Sequence, residues 1–231
     1  MIWYNLFMTE VRKDKLTNGC YYHILNRSIA QYQIFKEADD CERFLQILDL
    51  YRYIDFVYKY SNFLNLTLPV QQLIIEKLRK DNQKMVKIIA YCIMPTHFHL
   101  ILYQNENNGI SKFIAKVLNS YSRSFNLRYK RKGPLWEGHF KNVLIDTDEQ
   151  MLHLTRYIHL NPVSANLIKQ PDKWSYSSYR EYISRKEKGL CEFDDLIELT
   201  SKNYQTFVND RINYQKELSK IKRLTIENYT N

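Results

Sequence analysis

The feature that most constrains the fold is an apolar run at residues 86–94, which Pro95 ends and which a second apolar stretch, 100–103, soon follows. Two such runs with a very short connection predict a hairpin of paired strands. His97 and His99 stand at the start of the second strand, and residues two apart on a strand share a face. The hairpin therefore predicts that both imidazoles point to one side and that residue 98 points into apolar packing.

Two interpretations of the histidine pair stay open from this segment alone. Both imidazoles can converge on one small ion, which would make them half of a metal site. Equally, they can be half-exposed histidines on a strand surface with no ligand. The rest of the chain has to separate the two.

Composition favours a basic globular protein with an anionic partner. The 231 residues are 45% hydrophobic, enough for one sizeable core with additions, and the net charge of +9 favours nucleic acid over a membrane surface. Four scattered cysteines without a CxxC pair indicate reduced thiols, not a zinc knuckle or a disulfide framework. No run approaches membrane-spanning length, and the apolar start is too short for a signal peptide. We expect a cytoplasmic protein with no membrane partner.

The predicted elements alternate in a recognisable order. We predict a strand at 20–26, a helix at 39–60, a helical insertion at 62–82, a helix at 111–129 and a strand within 135–145. With the central hairpin, the order is strand, helix, strand, strand, helix, strand. That order is the split βαβ arrangement of ferredoxin-like α+β folds with an antiparallel sheet, here followed by C-terminal helices.

A further helix carries a candidate nucleophile. Thr147 and Gln150 form a capping-box pattern, which predicts a helix start, and Pro162 predicts that the helix ends near Asn161. His153, Tyr157 and Asn161 are spaced by four residues and therefore share one helix face. His153 fits either an assisting base or a surface histidine.

Several segments of the chain, in order, resemble the REP-associated tyrosine transposases, which belong to the single-tyrosine, IS200-like HUH transposases. HUH denotes two histidines around a hydrophobic residue. The resemblance covers roughly residues 19–182 and is carried by YHILNR at 22–27, IF at 34–35, CERFL at 41–45, YCIMPTHFHL at 91–100, GPLWEGHF at 133–140, YIHLNPV at 157–163 and WSYSSY at 174–179.

This resemblance implies a ferredoxin-like catalytic domain that cuts and rejoins single-stranded DNA beside a hairpin. By their match to the family motif, His97 and His99 are expected to bind a divalent metal, Mg²⁺ or Mn²⁺, and Tyr157 to be the nucleophile. Asn161 stands where related enzymes have a third metal ligand, or it caps the C-terminus of its helix. No separate cofactor-binding residues are expected.

The chain departs from the family pattern at three positions. Thr96 stands where asparagine is common, His139 where arginine is frequent, and Ser164 where arginine often follows Asn-Pro-Val. None of these departures removes a ligand or the nucleophile. The two missing arginines leave the number of phosphate contacts open. We assign structural roles to His139 and also to His23, which lies in another matched segment.

The chemistry suits strand transfer. A tyrosine hydroxyl ordinarily titrates near pH 10, so it needs help to attack a phosphodiester at neutral pH, and a metal ion can give that help. The phosphotyrosine bond would retain the energy of the broken linkage and leave a free 3′-hydroxyl. Rejoining then needs no ATP.

Basic residues near these motifs are candidate DNA contacts, although a solvated helix end explains the densest cluster equally well. The candidates are Arg27, Arg123, Arg128, Lys130, Arg131, Lys132 and Arg156. We divide the chain into an N-terminal arm (1–18), a catalytic domain (19–182) and a C-terminal helical extension (183–231).

Alternatives remain for function and assembly. A domesticated hairpin-binding protein without turnover, and an HUH relaxase or replication initiator that nicks DNA, are the competing functions. The protein can be a monomer, or a homodimer in which the tyrosine helix serves the partner's histidines.

Overall fold

A four-stranded antiparallel sheet organises the chain in a computed structural model, which describes residues 15–184, 189–193, 196 and 199–214. Its strands are β1 (Tyr21–Arg27), β2 (Val86–Met94), β3 (His97–Gln104) and β4 (Lys141–Ile145). They lie in the order β2-β3-β1-β4, with each neighbouring pair antiparallel. This arrangement confirms the predicted α+β, ferredoxin-like class. Most of the predicted arm at 1–18 lies outside the described residues.

Helices connect and follow the strands. They are α1 (Ala38–Tyr51), α2 (Tyr60–Leu64), α3 (Leu68–Asp81), α4 (Gly109–Arg128), α5 (Asp148–Ser164), α6 (Tyr179–Ser184) and α7 (Ser201–Asn209). The predicted insertion at 62–82 is thus two helices, α2 and α3. None of the helices in the described ranges is long and apolar enough to cross a membrane. All four cysteines are free thiols.

The sheet has a buried core on each face. One core packs the strand side chains around Phe98 against α1 and α4, and the Phe98 ring lies 5.0 Å from the Phe44 ring. The other core packs Ile101 against Ile158 of α5 and against residues of α6 and α7. Phe98 therefore points away from its two neighbouring histidines, as strand alternation predicted.

The predicted helix at 39–60 was wrong in its second half. Helix α1 ends at Tyr51 because the next backbone groups bond elsewhere: the Arg52 carbonyl accepts from Met85 N–H at 2.9 Å, and Ile54 N–H donates to Gln83 O at 3.0 Å. These bonds hold the segment after α1 against the segment that leads into β2. A helix through the same residues would have needed those groups for itself.

The predicted strand within 135–145 is confined to β4 (Lys141–Ile145). Its earlier part pairs with the segment after β1, where Ile29 N–H donates to Leu135 O at 3.0 Å and Ser28 forms an isolated bridge with Trp136. The apolar pattern at 135–136 therefore reflects packing at the end of β1 and not an extension of β4.

Candidate active site

The two histidines of β3 lie on the sheet face that α5 covers. In the register of the strands, His97 is opposite Arg27 and His99 is opposite Leu25 on β1. The two imidazole rings have centroids 5.1 Å apart and are nearly perpendicular. His99 is 2% exposed, whereas His97 is half-buried at the start of the strand. The predicted common face of the pair is therefore confirmed.

Tyr157 of α5 lies beside this pair. Its ring stands edge-on to the His99 ring, with centroids 5.7 Å apart and an angle of 87° between the planes. The tyrosine keeps 38% of its surface exposed, so a substrate can approach it from solvent. Within one chain, the candidate nucleophile and the candidate ligands come together.

The start of α5 that positions Tyr157 follows the predicted cap in part. Thr147 Oγ1 accepts from Gln150 N–H at 3.1 Å, which confirms the helix start. The reciprocal bond differs from a capping box, because Gln150 Oε1 accepts from Asp146 N–H at 2.9 Å and not from Thr147 N–H. The outcome is the same, since one more donor at the helix start is satisfied.

The end of α5 corrects a prediction. The helix runs through Pro162 to Ser164, so Asn161 is inside the helix and is not its C-terminal cap. A proline removes one N–H donor, but Ala165 N–H still donates to Asn161 O at 2.9 Å, and the helix continues. The Asn161 side-chain amide donates through Nδ2 to Tyr157 O at 3.0 Å. Its Oδ1 has no hydrogen-bond partner among the described residues.

His23 is a site residue that the sequence did not reveal. Its Nε2 lies 2.9 Å from Nδ1 of His99, and its ring is stacked on the His99 ring and edge-on to Tyr157. His23 and Leu25 share a face of β1, and Leu25 pairs with His99. The only signal in the sequence was the alternation of residues 20–26, which does not show on which face of the sheet His23 lies or that β3 is the neighbouring strand.

The contacts of the histidines leave one nitrogen of each ligand candidate available. His99 is engaged at Nδ1 by His23, and His97 is engaged at Nδ1 by Thr96 Oγ1 at 3.0 Å. Neither Nε2 has a hydrogen-bond partner within the described ranges. Both Nε2 atoms can therefore serve as ligands while the Nδ1 contacts fix the ring orientations.

Burial keeps all three imidazoles neutral. It lowers the pKa of His23 to about 4 and that of His97 to about 4, in the second case helped by the positive charge of Arg27. The pKa of His99 is held well below its usual value, by burial first and then by electrostatic interactions with His23, His97 and Arg27. A neutral imidazole has the free lone pair that a metal ligand needs, so the donor chemistry fits a divalent ion.

A metal here would need ligands from outside the histidine set. No group of three or more His, Cys, Asp and Glu side chains suited to a metal ion occurs in the part of the chain that the structure describes. The Nε2 of His23 is used in the contact with His99, so this nitrogen is not available as a third imidazole ligand. A metal ion held by the two Nε2 atoms and Asn161 Oδ1 would have further coordination positions for substrate oxygens or water.

The other predicted side chains divide by location. Arg27 is exposed at the end of β1, and its charge acts on both His97 and His99, so it lies at the site. His153 is also exposed, but Arg156 Nη2 lies 2.9 Å from its Nδ1. Its ring also stands edge-on to the Phe207 ring, with 5.7 Å between centroids, so His153 fits the surface-histidine interpretation.

The structure does not gather the basic candidates into one patch. Arg128 pairs with Asp39 at 3.1 Å, and Arg131 donates to Pro134 O at 2.7 Å. Arg156 lies 4.1 Å above the Phe207 ring. These three are engaged within the protein, while Arg123 lies on the α4 side of the sheet; Lys130 and Lys132 are exposed after α4. DNA contact by this set stays a prediction.

The candidate site falls within a known family pattern. The model of a family described as "Transposase IS200 like" matches residues 16–161, which include β1, the histidine hairpin and most of α5. The chain belongs to the IS200-like transposase family. This result confirms the resemblance that the sequence motifs indicated.

Two relatives carry the same kind of name. A protein of Haemophilus influenzae named as a REP-associated tyrosine transposase is 28% identical over 102 residues, which cover 39% of this chain and 57% of that protein. The match thus spans little more than half of that relative's length. A solved structure described as a REP-associated tyrosine transposase bound to a REP hairpin aligns with a TM-score of 0.52 and 16% identity, covering 84% of this chain and 96% of that one. The second match supports the fold of this transposase-family chain.

Proposed function

We propose that this protein is a tyrosine transposase that cleaves and rejoins single-stranded DNA next to a hairpin. The observation that carries the proposal is the position of Tyr157, whose ring lies 5.7 Å from that of His99 within one chain. A nucleophile beside two neutral imidazoles that can hold a metal ion suits phosphodiester transfer. The family membership supports this proposal, because the matched residues 16–161 include His97, His99 and Tyr157.

The chemical step is a substitution at phosphorus. Tyr157 Oη attacks a phosphodiester, the new O–P bond forms, and the bond to the 3′-oxygen breaks. The phenolic proton leaves to solvent, and the departing 3′-oxygen takes up a proton to become a free hydroxyl. The product is a 5′-phosphotyrosine, and the reverse reaction by another 3′-hydroxyl rejoins the strand.

The residues around Tyr157 would bind and orient the substrate. Arg27, exposed at the end of β1, can contact the phosphate, and Tyr157 is partly exposed, so a DNA strand can reach it. His97 and His99 present neutral Nε2 atoms, and Asn161 presents Oδ1. Held by these three residues, Mg²⁺ or Mn²⁺ would polarise a phosphoryl oxygen and orient the phosphate in line. None of the imidazoles acts as a general base in this proposal.

The substrate class follows from two observations of different kinds. The net charge of +9 favours a polyanion, and the solved relative that shares the fold is described with a REP hairpin. We therefore infer that hairpin-bearing single-stranded DNA is the substrate, processed in the cytoplasm. A single chain has the nucleophile and the histidines together, so a monomer or a homodimer with an active site in each chain fits the geometry.

The experiment that tests the function is adduct formation on labelled DNA. Purified protein is incubated with Mg²⁺ or Mn²⁺ and a hairpin oligonucleotide that has single-stranded flanks, and the products are separated under denaturing conditions. Label on the 3′ side of the cleavage point should move with the protein, and label on the 5′ side should not. Hairpin binding without any adduct in either metal would instead support the non-catalytic alternative.

A further inference from the structure

A cleft on the other side of the sheet has no role in the chemistry described so far. It has a volume of about 640 Å³ and lies between α1, the segment 56–61 and the C-terminal half of α4. Helices α1 and α4 cover the sheet face of Phe98, whereas Tyr157 and the histidines lie on the face of α5. A ligand in this α1–α4 cleft therefore does not touch the reacting phosphate.

The residues that line the α1–α4 cleft have an excess of positive charge. Arg43, Lys59, Lys116 and Arg123 line it, and none of them has an ion-pair partner in the ranges that the structure describes. Asp40 is the one carboxylate among the lining residues. Like-charged side chains around a concave surface focus a field that attracts anions.

Asp40 forms no ion pair with these four cations in the described ranges, and its oxygens contact other groups. Oδ2 accepts from the Tyr129 hydroxyl at 2.7 Å and from the N–H groups of Lys36 and Glu37, each at 3.1 Å. Oδ1 lies 3.7 Å from Arg128 Nη1. The carboxylate holds the start of α1 to the end of α4, and the other four cations remain available.

Arg43 is a cation at the cleft whose hydrogen-bond donors the described part of the protein does not use. Its Nε is buried and has no hydrogen-bond partner within the described residues. The guanidinium is held 5.0 Å from the centre of the Tyr60 ring, by a cation–π contact that leaves its donors free. A buried unpaired donor is costly, and a phosphate can accept from a guanidinium through two oxygens.

Aromatic and small polar groups complete the lining. Tyr58 is 39% exposed, and its ring packs against Phe56 at 5.9 Å between centroids. Asn119, Ser120 and Ser124 add neutral hydrogen-bonding groups from α4. Exposed aromatic faces beside backbone-binding cations are the features with which proteins hold unpaired nucleic acid.

We propose that the α1–α4 cleft binds a single-stranded segment of the DNA substrate, remote from the phosphate that Tyr157 attacks. Phosphates contact Arg43, Lys116 and Arg123, and an unpaired base stacks on Tyr58. A concave site of this volume suits a few unpaired nucleotides and is too small for a duplex. The inference rests on the proposed function for the identity of the polymer as DNA.

The test measures equilibrium binding of the full chain in EDTA, so that cleavage does not contribute. Fluorescence anisotropy with a labelled single-stranded oligonucleotide compares the wild type with Lys116→Glu/Arg123→Glu. The matched control is Lys77→Glu/Lys80→Glu, which makes the same charge change on exposed residues of α3. The cleft variant should bind at least tenfold more weakly than the control, and its slope of log affinity against log salt should fall by about 1.4. Circular dichroism confirms that both variants fold.

A substitution that leaves the charge unchanged tests whether the cleft stacks unpaired bases or only attracts DNA by its positive charge. Tyr58→Leu should weaken single-strand binding by about five- to a hundredfold and leave binding of a matched duplex unchanged. Tyr214→Leu, the same substitution at an exposed tyrosine that does not line the cleft, is the control and should have little effect.

The outcomes distinguish this inference from the proposed function. If the wild type binds DNA and forms the tyrosine adduct, but the cleft variants bind like their controls, the cleft proposal is overturned and the active-site proposal stands. If Tyr58→Leu has no effect, or an acidic polypeptide competes as well as DNA does, the cleft is not a single-strand site. If the wild type binds no DNA at all, both proposals fail.

Discussion

His23 Nε2 lies 2.9 Å from His99 Nδ1, and the two rings are stacked with only 12° between their planes. The contact joins β1 to β3 beneath Tyr157. If His99 binds metal through Nε2, its proton is on Nδ1 and is donated to His23. His23 is then a positioning residue, which selects the His99 tautomer and holds its ring in place.

This arrangement predicts a specific loss of metal affinity. His23→Leu removes the acceptor for His99 Nδ1–H and should weaken Mn²⁺ binding about 10- to 100-fold, as loss of such outer contacts generally does. His23→Gln retains an acceptor oxygen and should restore part of the affinity. Isothermal titration of the protein without DNA measures both.

The control for that titration is His139→Gln, a change at an exposed histidine after α4. It should bind Mn²⁺ like the wild type. Equal affinity of His23→Leu and the wild type would contradict a positioning role for His23.

The histidine pair should be required for cleavage more than for binding. His97→Ala with His99→Ala removes both Nε2 ligands, so adduct formation should be abolished, while hairpin binding stays within a few-fold of the wild type. Because His99 is buried, the half-buried His97→Gln variant is a milder second test, which should lose most of the adduct. Strong cleavage by the double variant would rule out the pair as metal ligands.

The burial of His159 predicts that the protein becomes less stable at acid pH. Burial lowers its pKa to about 3, and it lies between Ser178 Oγ at 2.8 Å and the Tyr204 hydroxyl at 2.7 Å. The other titratable groups that face it are Tyr179 and Tyr182 of α6, which do not ionise in acid. No charged side chain among the described contacts offsets protonation of this imidazole.

The direction of this pH dependence follows from the lowered pKa of His159. The unfolded chain takes up a proton at His159 near pH 6.5 and the folded chain does not. The free energy of unfolding therefore has its full value above that pH and decreases as the pH falls towards 3. Between pH 7 and pH 5 the loss from this one group is about 2 kcal/mol. Urea unfolding at both pH values measures it, with His159→Gln as the comparison. The same pH dependence in both proteins would show that His159 is not responsible.

Local patterns were enough to predict part of the site. The alternation of a strand placed His97 and His99 on one face and Phe98 on the other, and helical spacing put Tyr157 and Asn161 together. Such patterns depend on near neighbours in the chain. They needed no knowledge of which strands pair.

The remaining features depend on distant contacts. The place of His23 follows from the register of β1 against β3, and the end of α1 follows from hydrogen bonds between residues 52–54 and 83–85. Neither is visible in a single stretch of sequence. Pro162 misled the prediction of the end of α5, because the loss of one donor did not outweigh the packing of Val163 and its neighbours in the core.

The central claim is that Tyr157 forms the covalent bond to DNA, and the adduct assay tests it most directly. Tyr157→Phe removes only the attacking oxygen, and Tyr32→Phe is a matched control because both tyrosines are 38% exposed. We predict that the wild type and Tyr32→Phe join covalently to the 3′-side fragment. Mass spectrometry after trypsin digestion should find the nucleotide on the peptide of residues 157–169. Tyr157→Phe should bind the hairpin and form no adduct. A persistent adduct in Tyr157→Phe, or a nucleotide on another residue of the wild type, would contradict the claim.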